Sequence, residues 1–222
     1  MARRGRLERF CGGGLMGQLL GGRVIMKDQT AADIKRRAQA VKDELVHKGL
    51  LSEDDVQHFL HLAEDWKPEN GARVVARAWT DPVFRQRLLE DATAACAEMG
   101  YAGLQGEYIV ALENTPDQHN VVVCTQCSCT AWPVLGLPPD WYKSPEYRAR
   151  VVRQPRRVLS EMGLQISPDM GVRVWETSAE TRYMVIPMRP AGTESLGVDE
   201  LSALVTREAL IGVALATAVA RS

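Results

Sequence analysis

Cys124, Cys127 and Cys129 place three of the chain's five thiols within six residues. Thiolates are soft, nucleophilic ligands, so this density points to a transition-metal site or to redox chemistry. Structural zinc wants four ligands, usually as two pairs. No second Cys-x-x-Cys pair exists, and His119 or Cys96 could supply a fourth ligand only by accident of folding. A redox pair normally ends a strand and opens a helix, whereas the Pro133 and Pro138-Pro139 region after this cluster reads as loop.

The Cys127-Ser128-Cys129 portion permits a tighter arrangement. The Cys127 sulfur and the Ser128 amide nitrogen close a six-membered chelate ring on one ion. The Ser128 and Cys129 nitrogens close a five-membered ring, as do the Cys129 nitrogen and its own sulfur. Cys124, three residues back, turns its thiolate in along one axis. Deprotonating two peptide nitrogens is beyond ordinary divalent zinc and calls for a strongly polarising trivalent ion, cobalt or iron. Its remaining position is open to water or substrate, which makes such a claw a Lewis-acid site. On spacing alone, the claw and zinc remain alternatives.

The elements that position the cluster follow from periodicity. Ile34, Ala38, Val41 and Leu45 mark a helix from Thr30 that Gly49 ends. Ser52 and Asp55 resemble a capping box before a second helix through about Trp66. His58 and His61 on that helix read as a solvated face rather than a metal pair. Val74 to Trp79 form a third helix, and Thr80-Asp81-Pro82 starts a fourth whose face runs from Phe84 to Met99, with Cys96 as a small core residue. Strands are expected at Glu107 to Glu113 and at Asn120 to Val123, with the thiols on the loop beyond. A basic helix opens at Ser144-Pro145-Glu146 and is interrupted at Pro155. Its Arg148, Arg150, Arg153, Arg156 and Arg157 read as a solvated or ion-paired face in preference to a phosphate site. Strands at Val172 to Trp175 and Arg182 to Ile186 precede a helix from Asp199 to about Ala209. Leu210 to Leu215 is ambiguous between helix and buried strand.

Composition narrows the classes. With 222 residues and a net charge of −1, the chain supports one sizeable core and carries no field for nucleic acid or an acidic membrane. An odd cysteine count with three thiols clustered fits a reducing, cytoplasmic setting. No apolar run is long enough for a signal segment or membrane span. The basic, Gly-rich residues 1–29 read as a disordered extension, with Met26 as a second candidate start.

The run from Val123 to Ser144, Val-Cys-Thr-Gln-Cys-Ser-Cys-Thr-Ala-Trp-Pro onward, strongly resembles the metal-binding segment of nitrile hydratase alpha subunits. The likeness extends through Ala76 to Pro82, Gln105 to Val110, Tyr147 to Arg153 and Glu180 to Val185, about residues 70–215. It implies an α+β chain, a helical N-terminal arm (30–100) followed by a four-layer α-β-β-α catalytic core (101–222). Cys124 would be the axial thiolate, Cys127 the sulfinate and Cys129 the sulfenate, with Ser128 and Cys129 giving amide nitrogens and Gln105 a hydrogen bond next to the ligands. The implied reaction is hydration of a small-molecule nitrile to its amide, with a beta-type partner subunit and a metallochaperone or activator. Thr125 is the cobalt-type choice, whereas Thr130 and Ala131 are closer to the iron type, and Gln126 replaces the family's leucine. Co(III) is favoured over Fe(III), because residue 125 lies inside the claw. Trp132 reads equally as a channel wall or a core aromatic. The thiocyanate hydrolase gamma subunit shares the claw, though Ala131-Trp132-Pro133 favours the nitrile enzyme. A non-catalytic zinc or metal-carrier protein is the rival of another class.

Overall fold

A computed structural model describes residues 18–127 and 129–217, with side chains from residue 32 onward. Residues 1–17 of the basic extension and Ser128 lie outside the described residues. The chain divides into two compact units, Met1–Leu60 and His61–Ser222.

In the first unit, α1 spans Gln18–His47, so the helix read from Thr30 begins upstream of it. Gly49, at φ +66°, takes the left-handed conformation that lets the chain leave the helix. α2, Glu53–Glu64, follows the expected capping box: Asp55 N–H donates to Ser52 Oγ at 3.0 Å, and Ser52 N–H donates to the Asp55 carboxylate at 2.9 Å. Lys42 reaches Glu53 at 3.1 Å. The apolar residues Ile34, Val41 and Phe59 of these helices are exposed. His61 is exposed beside Glu64, 3.7 Å away, and neither His58 nor His61 belongs to a group able to hold a metal among the described residues.

The second unit continues with α3 (Pro68–Thr80), α4 (Pro82–Glu90) and α5 (Ala92–Glu98). Asp81 ends α3 and caps α4, accepting from the Val83 and Phe84 amides at 3.0 Å. The single face expected from Phe84 to Met99 is instead two helices. Asp91 leaves helical geometry, and its carboxylate caps α5 by accepting from Ala94 N–H at 2.9 Å. These helices bury Phe84, Leu88 and Cys96 completely in the same core as the strands. Burying one such side chain contributes about 2 kcal/mol.

Four strands form two parallel pairs: β1 (Ile109–Glu113) with β4 (Arg182–Ile186), and β2 (Gln118–Val123) with β3 (Gly171–Glu176). Parallel pairing requires crossovers. The connection from β2 to β3 carries the thiol loop and four helices, α6 (Trp132–Leu135), α7 (Asp140–Lys143), α8 (Pro145–Arg153) and α9 (Pro155–Glu161). The Pro133 and Pro138-Pro139 region is therefore not all loop: two single-turn helices follow the thiols. Pro133, the second residue of α6, and the prolines before α7 preset φ without removing a needed hydrogen bond. α10 (Val198–Ser202) and α11 (Arg207–Ile211) replace the single helix expected from Asp199. Thr206 caps α11 by accepting from Ala209 N–H, at 3.3 Å from its hydroxyl.

The apolar tail is resolved by Gly212, which ends α11 at φ +87°. A Cβ there would strike the Asn120 carbonyl of β2. Beside it, His119 is buried, with Nε2 2.7 Å from the Gly212 carbonyl and Nδ1 3.2 Å from the Asn114 side-chain nitrogen. This pattern fits a neutral imidazole donating through Nε2 and accepting at Nδ1. Burial lowers the His119 pKa below 6.5, opposed in part by the Gly212 carbonyl.

Two predictions follow from this junction. Below about pH 6.5 the unfolded chain binds a proton that folded His119 resists, so its contribution is complete above that pH and is lost as pH falls toward the folded value. Denaturant titrations across that range should show a slope of up to about 1.4 kcal/mol per pH unit that His119→Gln removes. Gly212→Ala should lower the unfolding free energy by roughly 3 kcal/mol, through the strained φ and the backbone clash, read from the denaturation midpoint.

Candidate metal centre

β2 delivers the first thiol. Its last residue, Val123, is paired with Glu176, and Thr177 N–H donates to the Val123 carbonyl at 2.7 Å, so the strand ladder holds the chain up to Cys124. Cys124 is buried, Cys129 half-buried and Cys127 exposed, so the group runs from the core to the surface. The Cys127 sulfur lies 3.5 Å from that of Cys124 and 2.6 Å from that of Cys129. All three sulfurs fall within 4.8 Å of one another, within reach of one ion. Ser128 lies outside the described residues, so only the sulfur side of the expected ligand set is described.

The electrostatics differ along the group. Burial pushes the Cys124 thiol up, but the amides of Cys127, Cys129 and Gln126 and the Cys127 thiol outweigh it, leaving Cys124 below its ordinary value. The Cys127 amide approaches the Cys124 sulfur at 3.3 Å. Burial and the hydrogen bond with Cys127 push Cys129 up to about 12, against the pull of the Arg182 guanidinium. A cation bound among these sulfurs would favour all three thiolates.

Aromatic residues support the loop from beneath. Tyr147 Oη donates to the Val122 carbonyl at 3.0 Å and Tyr142 Oη to the Cys129 carbonyl at 3.4 Å. Burial raises both phenols above their ordinary values, so they remain donors. Trp141 packs edge-on against both rings. Trp132 is half-buried and tilted over Trp66, with ring centroids 4.7 Å apart. Thr130 is buried and spends its hydroxyl on the Gly136 carbonyl at 2.8 Å, away from the thiols.

Gln105 adopts φ 61°, the one positive-φ non-glycine residue among those described. Its neighbour Gly106 has no room for a Cβ, which would lie 2.7 Å from the Pro133 ring. The Gln105 side-chain oxygen accepts from Arg182 Nε at 3.0 Å and also from Nη2. Arg182 is 4% exposed, and its Nη1 donates to the Ser178 carbonyl. It thus ties Gln105 to the surroundings of Cys129. Sequence reasoning missed Arg182, reading it only as the start of a strand; a lone arginine opening an otherwise apolar strand was the available signal.

The basic helix has separate duties. Arg150 and Arg157 pair with Glu161 at 2.6 and 3.1 Å, and Arg156 donates to the Ser167 carbonyl at 3.0 Å. Arg148 donates to carbonyls of the thiol loop. This is an ion-paired and loop-binding face rather than a phosphate surface.

The two residues named as accidental fourth ligands, His119 and Cys96, are engaged elsewhere. Both His119 ring nitrogens have partners. Cys96 is buried outside the group, its thiol pushed up to about 12 by burial and by Asp91. The donors present fit a thiolate-bound metal held by the loop itself.

A mixed helix-strand chain that presents three convergent thiols at the end of a buried strand is a metal-binding protein of the thiolate-claw class. The chain belongs to the nitrile hydratase alpha chain family, whose model matches residues 32–214. It is 56% identical over 186 residues to the low-molecular weight cobalt-containing nitrile hydratase subunit alpha of Rhodococcus rhodochrous, covering 83% of this chain and 90% of that one. The gamma subunit of thiocyanate hydrolase from Thiobacillus thioparus is 38% identical over 198 residues, covering 84% and 82%. Among solved structures, a double mutant of the Fe-type nitrile hydratase from Comamonas testosteroni Ni1 superposes with a TM-score of 0.79 at 45% identity, covering 83% of this chain and 91% of that one. No helix among the described residues is long and apolar enough to cross a membrane.

Exposure separates the thiols in the metal-free chain. Brief alkylation at pH 8 should label Cys127 and spare Cys96 by at least about tenfold, because Cys127 is open to the reagent while burial covers Cys96 and raises its thiol. Peptide mass spectrometry checks this, with Cys96 labelled only on unfolding.

Proposed function

We propose that this chain is the metal-bearing alpha subunit of a nitrile hydratase, adding water across the C≡N bond of a small nitrile to give the amide. The observation that carries the reading is the group of three sulfurs within 4.8 Å, in a chain of this family. In this reading Cys124, Cys127 and Cys129 supply sulfur, and the Ser128 and Cys129 amides supply nitrogen. A bound trivalent ion supplies Lewis acidity toward the nitrile. Cys127 is carried as the sulfinate and Cys129 as the sulfenate, steps on the ordinary oxidation ladder. Gln105, its side chain held by Arg182, serves as the hydrogen-bonding residue next to the ligands that the family likeness implies, and the buried Tyr142 and Tyr147 hold the loop backbone.

Cobalt is the favoured ion. The R. rhodochrous relative is cobalt-containing, and Thr130, the residue that leaned toward iron, has its hydroxyl committed to Gly136. Thiocyanate hydrolysis is the second reading, supported by the gamma-subunit likeness at 38% identity, against 56% for the nitrile enzyme. A beta-type subunit is the proposed partner: the apolar residues Ile34, Val41 and Phe59 are exposed surface that a partner would cover. A metallochaperone or activator, a cytoplasmic location and a four-layer α-β-β-α packing complete the proposal.

The purified complex should hold cobalt near one per chain, show a sulfur-to-metal charge-transfer band, and carry about 48 Da from three added oxygens on this subunit. It should hydrate nitriles in preference to thiocyanate. One zinc with an unmodified mass would refute the catalytic reading.

A further inference from the structure

The turn between Cys124 and Cys127 is gripped from two sides by residues distant in sequence. At the end of β3, Glu176 Oε1 accepts from Thr125 N–H at 2.7 Å and from the Thr125 hydroxyl at 2.8 Å. On α8, Arg148 Nη1 donates to the Thr125 carbonyl at 3.2 Å and to the Gln126 carbonyl at 3.0 Å. An anion therefore holds the N–H end of the turn, and a cation holds its carbonyl end. All four bonds are charge-assisted, roughly twice as strong as neutral ones. The anchors are themselves fixed. Glu176 is set by the Val123 register, and Arg148 follows Tyr147, whose hydroxyl is bonded to Val122. Nη1 of that guanidinium makes both bonds to the turn, while its buried Nε has no partner among the described residues.

The geometry matters because a turn carrying two sulfur donors has many conformations, and only a few converge the thiols. Ordering it on binding would cost about 1–2 kcal/mol per residue; a turn already ordered has met that cost in folding. A serine at 125 would keep both bonds to Glu176, so the grip is independent of the threonine methyl.

We propose that Glu176 and Arg148 are positioning residues that hold the Thr125-Gln126 turn in its ligand-presenting shape before metal enters, and thereby slow metal loss afterwards. The second half of this statement rests on the metal-bearing reading above; the first does not.

The test uses the full chain with its partner subunit. In the cobalt-free complex, hydrogen exchange at the Thr125 and Cys127 amides should quicken about tenfold in Glu176→Ala and in Arg148→Ala. Glu176→Gln, which keeps an acceptor oxygen, should recover most of the protection. In the cobalt-loaded complex, the alanine variants should release metal to a strong chelator severalfold faster, with the charge-transfer band shifted. Global protection elsewhere in β2 and β3 reports whether each variant is folded; should an alanine variant fail that check, Glu176→Met and Arg148→Met, which keep bulk without the charge or its hydrogen bonds, carry the same comparison. Wild-type exchange at both amides in the folded alanine or methionine variants would overturn the proposal. A wild-type complex that takes up no cobalt would instead defeat the metal reading, with the exchange measurement still deciding the brace.

Discussion

The parallel register of β2 against β3 is the constraint on which the site depends. Because Val123 is opposite Glu176, the thiol loop leaves the ladder at a fixed point, with one carboxylate alongside and Thr177 N–H closing the last backbone bond. β2 is buried from His119 to Val123, and a slip of one residue would carry Cys124 out of its place beside Glu176 and Thr177. The residues holding the register are buried valines, and Tyr147 adds a hydrogen bond at Val122. Core packing and ligand placement are therefore not separable here.

The same burial that fixes Cys124 works against its ionisation, and the loop compensates. Several backbone amides converge on its sulfur, so desolvation is outweighed and the thiol falls below its ordinary value. Cys129 has fewer such donors and stays protonated in the metal-free chain, with Arg182 as the opposing charge. This asymmetry fits a site in which the Cys124 sulfur is readied before the ion and Cys129 is ionised by it. The buried guanidinium of Arg182 also explains how Gln105 tolerates a positive φ. Its side chain is held by two nitrogens of a group that has few other acceptors within reach.

Much of the local structure was legible. Asp81-Pro82, Ser52 with Asp55, Gly49 and Pro155 mark helix boundaries because capping and proline geometry act over one turn. The break at Asp91 was missed, since the apolar face of Phe84 to Met99 continues in helical period across it. The single-turn helices after the thiols were also missed, because prolines there read as loop signals while actually occupying helix starts. Of the site, the sulfur donors were plain from spacing, and Gln105 came from the family likeness. Arg148 was read only as one charge on a basic face.

By itself the sequence determined that three sulfur donors stand within six residues, a local property of the chain, and it determined where most helices and strands begin. Only the tertiary structure decided which strands pair and which side chains surround the donors. Glu176 meets Thr125 across 51 residues and Arg182 meets Gln105 across 77. Such contacts follow from two parallel strand pairs with long crossovers, which no local pattern encodes. The fate of His119 was likewise a matter of burial, with both ring nitrogens bonded inside the core, while Cys96 lies in the core as its helical spacing implied.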